Sequence, residues 1–237
     1  MTEMSTVRTV RRAALFDLDS TLTDHAGAFD AWAREFCMST GVPLSSLRRA
    51  ETCHAGARHA FFAELKADFG LRQSIASLHA DYRQRSAELV PYRPDVCAVM
   101  QQLVTDGWQL GVVTNGAPDA QRLKLKVACL TDYFSSVVIS GEYGIRKPDP
   151  ALFQVALDEL GVADPAPSVV TGDCLVSDIG GGARAGPRTV WIADGRTRSA
   201  PDPTPTHTAQ NVVQAAEWLL ADPPRPASPP TPSLVSG

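Results

Sequence analysis

The stretch AALFDLDSTLTD, residues 13–24, joins a short apolar run to three aspartates, Asp17, Asp19 and Asp24. The apolar residues before Asp17 predict a buried strand. A buried carboxylate without a partner is costly, so two aspartates at the end of a buried strand indicate a site that holds positive charge. The stretch therefore predicts one strand of a sheet and a functional site where that strand ends.

Four more runs of apolar and β-branched residues predict strands at residues 108–116, 135–140, 168–173 and 188–193. Helical patterns lie between them. Gly107 and Gly161 follow the patterns at residues 94–106 and 150–160, as is typical of helix ends. Pro118 suits the first turn of another helix. Because strands alternate with helices, the sequence predicts an α/β fold with a doubly wound parallel sheet.

Residues 25–92 interrupt this alternation. They contain no convincing strand, and helical patterns cover residues 28–40, 57–69 and 71–89. A further amphipathic helix is predicted at residues 210–221, before a Pro-rich stretch. We therefore expect an α/β core from residues 1–24 and 93–221, a helical unit from residues 25–92, and a disordered tail at residues 222–237.

The composition excludes several classes of partner. The 237-residue chain is 44% hydrophobic and 20% charged, with a formal net charge of −4, so it has no basic surface for a nucleic-acid polymer or an anionic membrane. No apolar run approaches the roughly 20 residues that span a bilayer, and no export-type apolar stretch follows Arg11 and Arg12. We expect a cytoplasmic protein. The five cysteines never occur in a CxxC spacing, which disfavours a zinc site or a disulfide framework.

Polar residues follow three of the predicted strands. They are, in chain order, Asp17 with Asp19, Thr114 with Asn115, and Asp173 with Asp178 shortly after it. The carboxyl ends of parallel strands meet at one edge of a sheet, where ligands bind. Two carboxylates about 4 Å apart repel by roughly 4 kcal/mol at an effective dielectric constant of about 20. Hard oxygen donors favour Mg²⁺, and Lys147, in a loop before a predicted helix, supplies another positive charge.

Two other ligand classes fit the pattern less well. An EF-hand loop that starts at Asp17 would need Gly and Glu where the chain has Leu22 and Ala28. The glycines at residues 180–182, with Ala185, match a dinucleotide-binding GxGxxA pattern only loosely. They do not directly close a strand, and no acidic residue follows at the spacing typical of a ribose contact.

Four motifs together resemble those of the haloacid dehalogenase-like hydrolase superfamily, in the order and with the spacing of its motifs I to IV. They are DLDSTLTD, VVTNG, GIRKPDPALF around Lys147, and GDCLVSD. The resemblance covers about residues 13–220. It implies a Rossmann-like core with a helical cap of the C1 type, for which residues 25–92 are the match. Receiver domains share an Asp–Thr–Lys set, but they lack the DxD pair, the helical insert and the later acidic motif.

The resemblance also implies an activity and a set of roles. It implies an Mg²⁺-dependent phosphatase, with Asp17 as the nucleophile that forms an aspartyl-phosphate and Asp19 as the general acid and base. It implies that the Asp17 side chain, the Asp19 carbonyl and Asp173 bind the metal. Asp178 would either bind it directly or contact the residues that do. It implies phosphate binding by Thr114, the backbone N–H of Asn115, and Lys147.

The position of Asp19 separates two chemistries within this superfamily. Members that dehalogenate 2-haloacids lack an acid there, so Asp19 favours phosphoryl transfer. A phosphomutase and a catalytically silent binding protein on this fold are the alternatives. The segments DHAGA and TNGAPDAQRLKL resemble members that act on nucleotide monophosphates or acylneuraminate 9-phosphates. We therefore expect a small phosphorylated metabolite, a nucleotide monophosphate or a sugar phosphate, as substrate. The sequence leaves a monomer or a homodimer open.

Two further features bear on the substrate and on the fold. Arg58, His59, Arg83 and Arg85 lie on predicted helices of the insert and are candidates to contact an anionic substrate. The three glycines at residues 180–182 fall where relatives begin a helix. Because each glycine costs about 1 kcal/mol in a helix interior, we expect a loosened segment there.

Overall fold

The centre of the structure, a computed structural model that describes residues 12–54 and 56–221, is a six-stranded sheet. Its strands are β1 (Ala13–Phe16), β2 (Gln109–Thr114), β3 (Ser136–Ile139), β4 (Val169–Gly172), β5 (Arg188–Ile192) and β6 (His207–Ala209). Their spatial order is β3-β2-β1-β4-β5-β6, and every neighbouring pair is parallel. The predicted doubly wound parallel sheet is confirmed, whereas the predicted tail at residues 222–237 lies outside the described residues.

Strand residues alternate between two apolar layers, because successive side chains point to opposite faces of a sheet. Ala14 and Phe16 pack in the layer on one face, and Ala13 and Leu15 pack in the layer on the other. All four are fully buried. Burial on both faces explains why these strands read as continuous apolar runs rather than as alternating patterns.

Helices cover both faces of the sheet. In chain order the helices are α1 (His25–Thr40), α2 (Leu44–Cys53), α3 (Arg58–Phe69), α4 (Ile75–Glu88), α5 (Pro94–Thr105), α6 (Pro118–Val127), α7 (Ser140–Tyr143), α8 (Pro150–Glu159), α9 (Gly181–Ala185) and α10 (Val212–Ala221). Apolar residues of α5, α6 and α10 pack on one face, and those of α8 pack on the other. Within the described ranges, none of these helices combines the length and apolar character needed to cross a membrane.

Helices α1 to α4 form a unit with an apolar core of its own. Trp32 lies at its centre, with its ring centroid 4.7 Å from that of Tyr82 and 4.9 Å from that of Phe36. Asp24 marks the start of this unit, because its carboxylate accepts a hydrogen bond from the N–H of Gly27 and caps α1. The insert is therefore helical, as the lack of strand patterns predicts.

Helix α2 and strand β6 are among the elements that the sequence does not predict. Helix α2 buries only Leu47 and Ala50, and it follows Pro43 without a side-chain cap, so its start is not distinctive. Strand β6 has three residues, of which only Ala209 is buried. Each element buries only one or two side chains, so no apolar pattern stands out.

The glycines at residues 180–182 are not loosened. They span the end of a π-helical turn, Leu175–Gly180, and the start of α9, and all three are buried. A Cβ on Gly181 would lie 2.7 Å from the Phe153 ring, and one on Gly182 would lie 2.8 Å from Val170. These glycines allow the segment to pack closely on α8 and β4, and this packing outweighs their low helix propensity.

Candidate active site

Asp17 and Asp173 follow two adjacent strands, β1 and β4, at the point where the strand order of the sheet reverses. The N–H of Asp17 donates to the carbonyl of Thr171 at 2.9 Å, which extends the pairing of β1 with β4 by one residue. Asp17 is therefore held at the strand end, with only 8% of its surface exposed. This reversal point is where doubly wound sheets bind their ligands.

Lys147 joins three elements through its ammonium group. Its Nζ lies 2.5 Å from Oδ1 of Asp17 and 2.7 Å from Oδ1 of Asp178, and it donates to the carbonyl of Val113 at 2.8 Å. Burial opposes its charge, but the two carboxylates outweigh burial and raise the pKa of Lys147 above its usual range. Lys147 is therefore a fixed, buried cation.

The Asn115 side chain holds the backbone of Lys147. Its Nδ2 donates to the carbonyl of Lys147 at 3.1 Å, and the N–H of Lys147 donates to Oδ1 of Asn115 at 2.9 Å. The sequence predicted a role for the Asn115 backbone N–H. The paired hydrogen bonds add a second one, because they tie the end of β2 to the loop before α8.

Asp178 turns back towards the end of β4. Its Oδ2 accepts a hydrogen bond from the N–H of Cys174 at 2.9 Å, and the residue is only 1% exposed. Asp173 is held by its backbone, because the indole Nε1 of Trp191 donates to its carbonyl at 3.0 Å. Burial and the nearby Asp178 raise the pKa of the Asp173 carboxyl, against the opposing effect of Arg196.

Three of the predicted metal ligands come together. Asp17, Asp173 and Asp178 each place one carboxylate oxygen within 4.8 Å of the other two. Burial raises the pKa of Asp17 to about 7, with Asp178 and Asp19 adding to this effect and Lys147 opposing it. Hard oxygen donors with an excess of negative charge suit Mg²⁺, which prefers carboxylate and water ligands. The donor set therefore fits this metal.

The carboxylate of Asp19 faces a different group of partners. Both of its oxygens lie 2.7 Å from Nζ of Lys124, and Oδ2 accepts from Nε2 of Gln121 at 3.1 Å. The same Gln121 nitrogen donates to Oγ1 of Thr114 at 2.7 Å. His25 approaches from the other side, with Nδ1 3.7 Å from Oδ1 of Asp19. Asp19 and Thr114 are thus joined through α6.

Gln121 and Lys124 are functional candidates that reasoning from the sequence missed. They lie one turn apart on the helix that Pro118 begins, next to the apolar Leu125. A polar pair on the inward face of a predicted helix is a signal that could have found them. Burial alone would raise the pKa of Asp19, but Lys124 and His25 outweigh it and hold the pKa well below its usual range.

The three arginines that the sequence singled out in the insert, Arg58, Arg83 and Arg85, are each paired with an acid. Arg58 contacts Glu51 through both guanidinium NH₂ groups, and its guanidinium lies 4.4 Å from the ring centroid of Tyr82. Arg83 lies 2.9 Å from Asp119 of α6, and Arg85 pairs with Glu35 and Glu88. His59 is exposed. The structure therefore gives these side chains structural partners and adds no support for their predicted contact with substrate.

A cavity of about 610 Å³ adjoins the loop that follows β1. The loop and the start of α1 contribute Ser20, Asp24 and His25, and α2 contributes Arg48 and Glu51. His25 is also the residue beside Asp19. His25 therefore links this cavity, which is otherwise lined by the loop after β1 and by α1 and α2, to the Asp19 side of the site.

Comparisons with known proteins agree with the motifs. A model of the haloacid dehalogenase-like hydrolase family matches residues 11–186. The chain is 30% identical to N-acylneuraminate-9-phosphatase of Mus musculus over 233 residues, which covers 88% of this chain and 93% of that protein. It is 41% identical to phosphoserine phosphatase of Thermus thermophilus over 121 residues, 51% of this chain and 48% of that one, so this alignment spans about half of the relative.

Solved structures agree on the fold. The YfnB protein of Bacillus subtilis, solved with bound magnesium, superposes with a TM-score of 0.77 at 22% identity, over 88% of this chain and 98% of that one. The 2-haloacid dehalogenase of Pseudomonas syringae superposes with a TM-score of 0.60 at 28% identity, over 89% and 98%. The family model matches most of the chain, and the strand order is that of a doubly wound sheet. This chain therefore belongs to the haloacid dehalogenase-like hydrolase family.

Proposed function

We propose that this hydrolase is an Mg²⁺-dependent phosphatase that acts on a small phosphomonoester in the cytoplasm. The observation that carries the proposal is the contact between the buried Asp17 carboxylate and Nζ of Lys147, at 2.5 Å, beside two more carboxylates. A carboxylate that is held at a strand end, next to a fixed cation, is oriented to attack an anionic phosphate.

The metal would be held by the side chains of Asp17, Asp173 and Asp178 and by the carbonyl of Asp19. When bound, Mg²⁺ offsets the repulsion between these carboxylates and the phosphate group. Lys147 adds a second positive charge on the same side. Together, Mg²⁺ and Lys147 would offset the negative charge of the carboxylates, so that the site could bind the phosphate dianion of a substrate.

Asp17 attacks the phosphorus atom, and the bond to the leaving oxygen breaks as the aspartyl-phosphate forms. Lys147, Oγ1 of Thr114 and the backbone N–H of Asn115 hold the phosphate oxygens, where charge lies in the transition state. Asp19 donates a proton to the leaving oxygen and later accepts one from the water that attacks the intermediate. Asp17 and Asp19 thus serve two different steps, attack on phosphorus and proton transfer.

The leaving group would lie in the cavity that His25 lines, on the side of the site where His25 approaches Asp19. The cavity volume of about 610 Å³ suits a small metabolite. Relatives of the chain are named for phosphoserine, N-acylneuraminate 9-phosphate and glyceraldehyde 3-phosphate. We infer a sugar phosphate or a nucleotide monophosphate as substrate, with residues 25–92 acting as a cap that excludes water while the aspartyl-phosphate forms.

Hydrolysis of p-nitrophenyl phosphate tests the proposal. The wild-type protein should turn over this substrate with Mg²⁺, lose the activity in EDTA, and regain it when Mg²⁺ is restored. Asp17→Asn should be inactive with Mg²⁺, because an amide cannot form the intermediate. Turnover that survives EDTA, or that Asp17→Asn retains, would contradict the proposal. If the proposal holds, hydrolysis of a panel of phosphorylated metabolites identifies the substrate.

A further inference from the structure

Two side chains on α6, Lys124 and Gln121, have no role in the chemistry described so far. Both are buried, with 7% and 2% of their surfaces exposed. Lys124 binds both oxygens of Asp19 at 2.7 Å, and Gln121 bridges Asp19 and Thr114. The two contacts from Lys124 and the one from Gln121 fix the orientation of the Asp19 carboxylate. Gln121 also fixes its position relative to β2, because it donates to Thr114 at the end of that strand.

The backbone around these side chains leaves room for them. A Cβ on Gly116 would lie 3.0 Å from Cγ and Cδ of Gln121, so the glycine after Asn115 clears the path from α6 to Thr114. Ala120 and Leu125 are buried on the same helix. Because Gln121 and Lys124 are three residues apart, their side chains project from the same side of this firmly packed helix.

Stability gives little reason for this ion pair, in which Lys124 is buried and the Asp19 side chain is 28% exposed. Exposed pairs contribute little to stability, and removing a pair from water often costs as much as its attraction returns, so the pair is weak support for a purely structural role. Because the carboxylate in the pair is the proposed acid and base, orientation of that group is the stronger explanation for the two donors.

We propose that Lys124 and Gln121 are positioning residues that hold Asp19 in place for proton transfer. This inference rests on the proposed phosphatase function. In the first step Asp17 bonds to phosphorus, the bond to the alcohol oxygen breaks, and that oxygen takes the proton of Asp19. In the second step water bonds to phosphorus, the bond to Asp17 breaks, and Asp19 takes the proton of the water. Lys124 and Gln121 stabilise the carboxylate that each donation leaves behind.

The test compares two leaving groups. p-Nitrophenolate leaves without a proton, whereas the alkoxide of glycerol 2-phosphate needs one, so only the second substrate depends on Asp19 in the first step. The comparison uses kcat/KM, which covers the steps up to loss of the leaving group. Lys124→Met should lower kcat/KM for glycerol 2-phosphate about tenfold or more beyond any loss with p-nitrophenyl phosphate, since general acids contribute roughly 10²- to 10⁴-fold.

Lys126→Met is the matched control, because Lys126 is on the same helix and exposed. It should leave both values near those of the wild type. Asp19→Asn should show the same selective loss as Lys124→Met, and adding Lys124→Met to it should cost little more, because the two act as one unit. If Lys124→Met does not fold, Gln121→Met carries the test, with a smaller selective loss expected.

The outcomes separate the two proposals. Equal losses on both substrates, or additive losses with Asp19→Asn, would overturn the positioning role while the wild type remains an Mg²⁺-dependent phosphatase. A wild type that hydrolyses neither substrate with Mg²⁺ would overturn the phosphatase function and this inference together. A selective loss on glycerol 2-phosphate, absent from Lys126→Met, supports both.

Discussion

A methyl group on Gly172, the last residue of β4, would lie 2.4 Å from Cβ of Asp178. The Asp178 side chain occupies the space where any other residue at position 172 would place its own. From there it reaches Nζ of Lys147 and the N–H of Cys174. The missing side chain at Gly172 is therefore what lets a carboxylate from the following helical turn return to the strand end.

Gly172→Ala tests this relationship. The new Cβ displaces Asp178 from Lys147 and from the proposed metal position, so we expect kcat to fall on the order of 100-fold, the cost of a displacement of about 1 Å in an active site. Steady-state kinetics at saturating Mg²⁺ measures it. Gly107→Ala is the control, because Gly107 has a φ of 86° with nothing near its Cβ position. It should cost about 1–2 kcal/mol of stability and spare kcat.

Asn115→Ala removes both side-chain hydrogen bonds to the backbone of Lys147. The loop that carries Lys147 then loses its tie to β2, and we expect kcat to fall about 10- to 100-fold with a loss of stability of roughly 1–3 kcal/mol. Asn211→Ala is a fair comparison, since it also removes a hydrogen bond, the one that the N–H of Gln214 donates to Oδ1 of Asn211 at the start of α10. An equal loss of activity in both variants would refute the role of Asn115.

Arg196→Gln concerns the affinity for Mg²⁺. The guanidinium lies 3.4 Å from Oδ2 of Asp173 and is held by the carbonyls of Ile192 and Ala193. It would compete with the proposed Mg²⁺ for Asp173. Because the side chain is half-exposed, we expect its removal to tighten Mg²⁺ binding only about two- to fivefold, measured by isothermal titration calorimetry. Arg198→Gln removes the same charge two residues away and should change little. Weaker Mg²⁺ binding in Arg196→Gln would reverse this interpretation.

Trp32→Ala addresses the helical insert. Trp32 is 3% exposed and packs among aromatic rings of α1, α3 and α4. Its truncation should cost about 3–5 kcal/mol, and hydrogen exchange should show the loss in α1 to α4 before it appears in the sheet. Met38→Ala, on the same helix and 80% exposed, should stay within about 0.5 kcal/mol of the wild type. Uniform loss of protection across the sheet would contradict an independent core in the insert.

Much of the fold follows from local patterns. The continuous apolar run before Asp17 predicts a strand that is buried on both faces, and β1 is such a strand at the centre of the sheet. Elements with only one or two buried side chains are beyond this reasoning, and α2 and β6 were therefore missed. The glycines at residues 180–182 show the same limit, because helix propensity is a local property whereas the close approach of Phe153 and Val170 is not.

The sequence by itself determined which chemistry this protein carries. Asp17, Asp19 and Asp173 follow predicted strands, Asp178 comes five residues after Asp173, and this excess of carboxylates predicts a bound cation. Only the tertiary structure decided which side chains tune that chemistry. Lys124 is 105 residues from Asp19 along the chain, and nothing local to either residue specifies their contact at 2.7 Å. The packing of α6 against the sheet brings them together, and that packing is a property of the whole fold.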